Sequence, residues 1–253
     1  MNYDAGKCDV AVIGAGHAGI EAALACARMG LDTMIFSINL DTCGNLPCNP
    51  SIGGTGKGHL VRELDAMGGE MGVAADKACI QYRMLNRGKG PAVHSLRAQA
   101  DRRKYQSVMK HTLELQDNLR IKQAEIVDIG VEDGRVSYVR TQMGAAYYCK
   151  AVIVCTGTYL KGRFIIGYVV CESGPDGVAA AGEIDIIAGV GRIGVVVSEI
   201  VEPAQETGRP VRARFAGVVV DDVEDHLESG PVEGLDHVAE LGHGIRPGRV
   251  AGL

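Results

Sequence analysis

Cys48, Lys57 and His59 share one Gly- and Pro-rich stretch, Cys43-Gly44-Asn45-Leu46-Pro47-Cys48-Asn49-Pro50-Ser51-Ile52-Gly53-Gly54-Thr55-Gly56-Lys57-Gly58-His59. A thiol beside a cation or a helix N-terminus gives up its proton and becomes a nucleophile. Cys48 is therefore the candidate catalytic residue, with a small buried thiol as the competing reading; Cys43 reads as the buried kind. Gly53 and Gly54 would let the backbone approach a flat ligand. Gly56-Lys57 hints at a P-loop, but Ser51 stands where its first Gly belongs and Gly58 where a hydroxyl must hold magnesium. A second set is Gly14-Ala15-Gly16-His17-Ala18-Gly19, in which two glycines permit a tight turn against a pyrophosphate and the third admits a closely packed helix. A third set gathers Arg83, Arg87, Lys89, His94, Arg97, Arg102, Arg103 and Lys104 against the single acid Asp101. That stretch could contact phosphates of a nucleotide or a nucleic acid, or be a solvated basic face.

The elements around these residues decide what they can do. Asp9-Val10-Ala11-Val12-Ile13 reads as a buried parallel strand and Ile20 to Met29 as a helix closed by Gly30. Thr33-Met34-Ile35-Phe36 reads as a second strand. The glycine motif thus sits in a βαβ unit, the context that makes it a dinucleotide signature. The acid that often binds the adenosine ribose at the end of the second strand is replaced by Ser37-Ile38-Asn39. Ser37 or Asn39 would then supply neutral hydrogen bonds, which disfavours ordinary NAD more than FAD. Leu60 to Met67 and Asp101 to Leu115 read as helices. Residues 119–155 read as strand-rich, with Glu132-Asp133-Gly134-Arg135 a hairpin turn in a small antiparallel ribbon. Ala151-Val152-Ile153-Val154-Cys155 is an apolar strand whose Thr156-Gly157 turn would return beside the nucleotide.

Composition narrows the class. At 253 residues and 46% apolar the chain can bury a core, and no apolar stretch is long enough to span a membrane. The first residues are not a signal peptide, which favours a cytoplasmic protein with reduced thiols. The eight cysteines include no C-x-x-C pair, and no metal site is expected. Aromatics are 4%, which leaves few platforms for stacking single-stranded bases.

Taken together, the motifs resemble the FAD-binding N-terminal region of the MnmG (GidA) family of tRNA uridine-5-carboxymethylaminomethyl modification enzymes. The resemblance rests on Gly14 to Ala23, Cys48 to Glu63 and Lys89-Gly90-Pro91-Ala92-Val93. Arg97-Ala98-Gln99-Ala100-Asp101-Arg102, Thr156 to Gly162 and Glu172-Ser173-Gly174-Pro175 extend it, so that it covers about residues 6–177. Folate-dependent tRNA methyltransferase relatives share the flavin fold but match the Cys48 to His59 stretch less well. The resemblance implies FAD held over Gly14, Ala15, Gly16, His17, Ala18 and Gly19. Further contacts are implied at Ser37, Asn39, Asn49, Gly53, Gly54, Ile126, Thr156 and Gly157. It also implies a flavin reduced by NADH, methylenetetrahydrofolate as carbon donor, tRNA as substrate, the GTPase MnmE as partner and a homodimer. Cys48 matches a family cysteine proposed to act in catalysis. A non-catalytic flavin-binding fragment and another flavin oxidoreductase are the competing readings. FAD binding without turnover would mark the first, and NADH oxidation independent of tRNA the second.

The expected fold is therefore α/β, a Rossmann-like FAD/NAD(P)-binding domain over residues 1–177, truncated, followed by a tail over 178–253. The tail has six Arg, no Lys and thirteen acidic residues, and it lacks Cys, Met, Tyr and Asn altogether. That break suggests sequence foreign to the family, from a frameshift or rearrangement, or else a separate acidic domain. Gly189-Val190-Gly191-Arg192-Ile193-Gly194 repeats the glycine pattern there. β-Branched residues follow where a helix should begin, so it reads as a chance match.

Overall fold

The computed structural model describes residues 2–47, 51–166, 168–174 and 177–188, with the backbone of 196–197. The run Val10-Ala11-Val12-Ile13 has no polar side, so it is stable only in a sheet covered on both faces. It forms β2 (Val10–Ile13), buried throughout, after an edge strand β1 (Tyr3–Lys7). α1 (His17–Arg28) carries the chain to β3 (Thr33–Ser37), also buried throughout. β4 (Ser51–Gly53) precedes α2 (Gly58–Ala66) and α3 (Met71–Ala78). β5 (Cys79–Leu85) and β6 (Ser95–Ala100) follow, then α4 (Arg102–Leu115). The remaining elements are strands: β7 (Leu119–Gln123), β8 (Ile126–Glu132), β9 (Arg135–Thr141), β10 (Ala145–Tyr148) and β11 (Ala151–Val154). Last come β12 (Arg163–Ile166), β13 (Val169–Glu172), β14 (Asp185–Ala188) and β15 (Val196–Val197).

Three layers result, an α/β fold of the Rossmann type. The central sheet runs β15-β11-β2-β3-β7 with every pair parallel. Val10 is level with Thr33 on one side and Ala151 on the other. Because side chains alternate along a strand, Val10 and Val12 pack against Ile20 and Leu24 of α1 and Tyr105 and Met109 of α4. Ala11 and Ile13 face the opposite way and, with Met34 and Phe36, pack against Ile129, Val131 and Val139. Those last residues belong to the second sheet, β1-β10-β9-β8-β14. Its β8–β9 hairpin turns at Asp133 and Gly134, both at positive φ (49° and 73°), as a two-residue turn with the twist of its strands demands.

Several placements differ from the sequence reading. β7 does not join the ribbon but extends the parallel sheet beside β3. The ribbon is lengthened instead by β1 and β14, each paired in parallel. The long glycine-rich loop contains β4, which joins β6 and β5 in a third sheet of order β4-β6-β5. Residues 178–188, which composition groups with the tail, continue the packing. Ala181 bridges to Leu160, and β14 pairs with β8 from Asp185 opposite Asp128 to Ala188 opposite Val131. The second glycine pattern, at 189–194, lies outside the described residues.

α1 is tied to its neighbours by charge. The Glu21 carboxylate accepts hydrogen bonds from the backbone N–H of Glu70 (3.0 Å) and Met71 (2.8 Å), closing the uncapped start of α3. Arg28, in the last turn of α1, donates to Glu70 (2.8 Å) and to the carbonyl of Gly68 (2.8 Å). Replacing Glu21 with Ala leaves two partly buried N–H groups without an acceptor and is expected to lower the unfolding free energy by about 1–3 kcal/mol. Glu21→Gln, which keeps one acceptor oxygen, is expected to lose less. Urea unfolding of the two variants checks the order.

Candidate functional site

The site is built where backbones meet without side chains. The Gly14 N–H donates to the carbonyl of Phe36 (2.8 Å) and the Cys155 N–H to that of Ile13 (2.8 Å), locking the ends of β2, β3 and β11 together. Gly14 lies at φ +103°, and a Cβ there would stand 2.2 Å from the Cys155 carbonyl oxygen. A Cβ on Gly19 would stand 1.8 Å from the Gly14 carbonyl oxygen, so only glycine lets α1 come this close. Gly16 is different. A Cβ there meets nothing within 4 Å, and Gly16 is the N-cap of α1 with no side-chain cap bond. The first turn of α1 thus keeps free N–H groups and the positive end of its dipole above open space.

That space is a cavity of about 260 Å³ at the carboxyl ends of the parallel strands, where ligands of such sheets bind. Gly14, Ala15, Gly16, His17, Ser37, Ile126, Thr156 and Gly157 all line it. Phe36, Ile38, Ala124, Leu160 and Ile184 make much of its wall apolar. Ala18 and Gly19 lie behind the wall in α1. Asn39 is off the wall too, its side-chain oxygen engaged by the Asp41 N–H (2.8 Å) at the start of a 3-10 turn. The Ser37 hydroxyl donates to the Asn39 carbonyl (2.9 Å). Gly53 and Gly54 also lie off the wall, at φ +89° and +87°, turning the chain from β4 toward α2. Cys48 and Asn49 fall outside the described residues.

Sequence reasoning missed Glu125, the one carboxylate on the wall among the described residues. Its Oε1 accepts from the Gly182 N–H at 2.6 Å. It follows β7, not the second strand of the βαβ unit, so the usual spacing rule looks in the wrong place. Asn45 was missed as well. Arg102 (3.1 Å) and Gln106 (2.9 Å) of α4 donate to its side-chain oxygen and fix the chain just before residues 48–50.

His17, Cys43 and Cys155 at this end are held neutral. Burial, with the Lys57 charge adding to it, drives His17 down to about 4. Its Nε2 has no hydrogen-bond partner among the described residues, and its ring lies 5.7 Å from that of the fully buried Tyr105. Burial also pushes Cys43 up to about 11 and raises Cys155, so both are thiols at neutral pH.

Comparison with known proteins gives a consistent picture. Residues 9–188 match the family model described as glucose inhibited division protein A. The tRNA uridine 5-carboxymethylaminomethyl modification enzyme MnmG of Caldicellulosiruptor saccharolyticus is 62% identical over 181 residues, 72% of this chain and 29% of that protein. MnmG of Alkaliphilus metalliredigens is 52% identical over 227 residues, 90% of this chain and 35% of that one. The solved structure of Aquifex aeolicus GidA in its form I crystal is 53% identical, with a TM-score of 0.67. It covers 70% of this chain and 29% of its own. The GidA-related protein from Thermus thermophilus shares the fold at 21% identity and a TM-score of 0.50, covering 69% of this chain and 64% of its own. The chain therefore spans about a third of the length of these MnmG relatives.

His17 makes stability depend on pH. Above about pH 6.5 it is neutral both folded and unfolded and contributes nothing. As pH falls toward 4 the unfolded chain takes up the proton first, so stability is lost, by up to roughly 3 kcal/mol. Urea unfolding near pH 7 and near pH 5 is expected to show that loss, and His17→Asn to reduce it. An equal loss in both proteins would show that His17 is not the group responsible.

Proposed function

Because the chain belongs to the glucose inhibited division protein A family, we propose that it is the FAD-binding portion of a tRNA-modifying enzyme. In this reading the whole enzyme, acting with MnmE, installs the carboxymethylaminomethyl group at C5 of the wobble uridine. The observation that carries it is the open floor over Gly16, at an uncapped helix start, in a cavity walled by the residues that match the family. A diphosphate needs that combination of close approach, N–H donors and a positive dipole end.

The residues present fit FAD. Gly14 to His17 would cradle its pyrophosphate. Glu125, fixed by Gly182, would accept from a ribose hydroxyl, beside Ser37 and Asn39, whose side chains also serve the turn. Ile126, Phe36 and Ala124 offer an apolar wall to the adenine, and Thr156 and Gly157 close the opposite side. When bound, FAD supplies reversible two-electron redox chemistry. Neutral His17 adds no charge to the pocket. Cys48 is the proposed nucleophile on the family resemblance. The same resemblance supports NADH as reductant, methylenetetrahydrofolate as carbon donor, tRNA as substrate, MnmE as partner, a homodimer and a cytoplasmic setting. Among the described residues no helix is long and apolar enough to cross a membrane.

The test separates binding from folding. Gly16 is at φ −73° with space around it, so Gly16→Val is expected to fold and melt like the parent chain. Titrated with FAD and followed by visible absorption, the parent is expected to bind saturably and Gly16→Val to lose at least about tenfold in affinity. Gly14→Ala and Gly19→Ala, which clash with backbone, are expected to lose the fold first. A Gly16→Val protein that binds FAD as tightly as the parent overturns the reading.

A further inference from the structure

The third sheet, β4-β6-β5, has one apolar face and one polar face. Ala98 and Ala100 of β6 turn with Ile52 of β4 into the core. The other face carries Ser95, Arg97 and Gln99, by the alternation of the strand. Across it, Arg97 stands directly opposite Arg83 of β5 and opposite Gly53 of β4, and Gln99 stands opposite Gln81 and Ser51. Residues directly opposite in an antiparallel pair share a face with their Cβ atoms roughly 5 Å apart, and like charges so placed repel.

Neither guanidinium has an anionic partner among the described residues. Arg97 is half-buried, and its Nε is enclosed with no hydrogen-bond acceptor. Leaving a buried charged donor unmet is costly, and placing a second cation beside it adds to the cost. Nor does β4 relieve it. Gly53, level with Arg97, sits at φ +89° and must be glycine because the Leu96 carbonyl oxygen fills the space a Cβ would take (2.3 Å), so β4 offers Arg97 no side-chain partner there. Arg87 and Lys89 follow β5 in a 3-10 turn and add positive charge at the end of the row.

We propose that Arg83 and Arg97 form an oxyanion site, distinct from the cofactor cavity, that receives a phosphate group of the substrate. Two guanidinium forks from neighbouring strands can each give paired N–H donors to one phosphate. The source is a backbone phosphodiester of RNA, which rests on the tRNA reading above; a free phosphate ester presents the same chemistry.

The test uses the full chain and four variants: Arg97→Gln, Arg83→Gln, Arg97→Lys and, as an equal-charge control, the exposed Arg103→Gln. Binding of a fluorescent anticodon-stem RNA hairpin is followed by anisotropy over a series of salt concentrations. Melting is followed in inorganic phosphate and in chloride of the same ionic strength. Arg97→Gln and Arg83→Gln are each expected to weaken RNA binding about tenfold and to lower the salt slope by about one. Arg97→Lys is expected to recover part of the loss and Arg103→Gln to lose little. Arg97→Gln is also expected to melt higher than the parent in chloride, because an unmet charge has gone, and to lose the rise that phosphate gives the parent. A phosphate effect that depends on Arg97 without any RNA effect supports the site and assigns it to a free phosphate ester. RNA losses no larger than those of Arg103→Gln, together with a phosphate effect absent or unchanged, overturn it. FAD titration of Arg97→Gln keeps the two proposals apart, since Arg97 does not line the cavity.

Discussion

The contact between the start of α1 and the end of β2 governs the cofactor end of the molecule. Two backbone segments approach so closely that a single Cβ on Gly19 would penetrate the Gly14 carbonyl, while Gly14 itself is pressed against Cys155 of the next strand. Three chain segments therefore meet with no side chain between them. This brings the helix N-terminus to the carboxyl edge of the parallel sheet, where the crossovers on either side of β2 diverge and leave a cavity. Gly16 then occupies the only position of the three motif glycines that faces free space. One glycine pattern thus meets three different demands: a backbone conformation at Gly14, packing at Gly19 and ligand clearance at Gly16.

What the sequence revealed, and what it hid, follows from how each signal is made. β2, α1 and β3 were legible because a strand buried on both faces must be a continuous apolar run, and the glycines bracket it. The β8–β9 hairpin was legible because Asp133-Gly134 is one of the few pairs that takes positive φ at both turn positions. The start of α4 was legible because Asp101 caps it, accepting from the Lys104 N–H at 2.9 Å. The third sheet was not. β5 mixes Ile80, Gln81, Tyr82 and Arg83 on a largely exposed strand, and β4 is three residues long inside a glycine-rich loop. Such strands are specified by their partners and not by their own periodicity. β7 reads from sequence only as a strand leading into the ribbon, because pairing with the distant parallel strand β3 leaves no local signal. Glu125 was hidden for a related reason: its place on the cavity wall comes from that parallel pairing.

A change of composition is also not a change of fold. The acidic, Lys-free part of the sequence begins near residue 178, yet Ala181 and Ile184 line the cavity, and the Gly182 N–H fixes Glu125. β14 continues the ribbon to Ala188, the residue at which the family match ends. The physical requirement there is modest. Strand pairing by backbone hydrogen bonds and a few small apolar side chains against the cavity suffice, and a Gly-, Ala- and Ile-rich segment supplies both. Residue usage over a long window averages across such a boundary and places it too early.

The two proposed anion sites differ in their physics. Among the described residues the wall of the cofactor cavity carries no Lys or Arg, its histidine is held neutral, and its cysteine is a thiol. Negative charge there must be met by backbone N–H groups and the helix dipole, which are fixed in direction and cost no side-chain ordering. Such a site suits a resident group held in one pose. The Arg83 and Arg97 row is the reverse: whole charges on long side chains at a sheet face, one of them exposed. Their attraction reaches further, is screened by salt, and tolerates a partner that arrives and leaves. A resident cofactor in a cavity lined by backbone N–H groups and a helix dipole, and a transient substrate phosphate on paired cations, is the division of labour that these two chemistries favour.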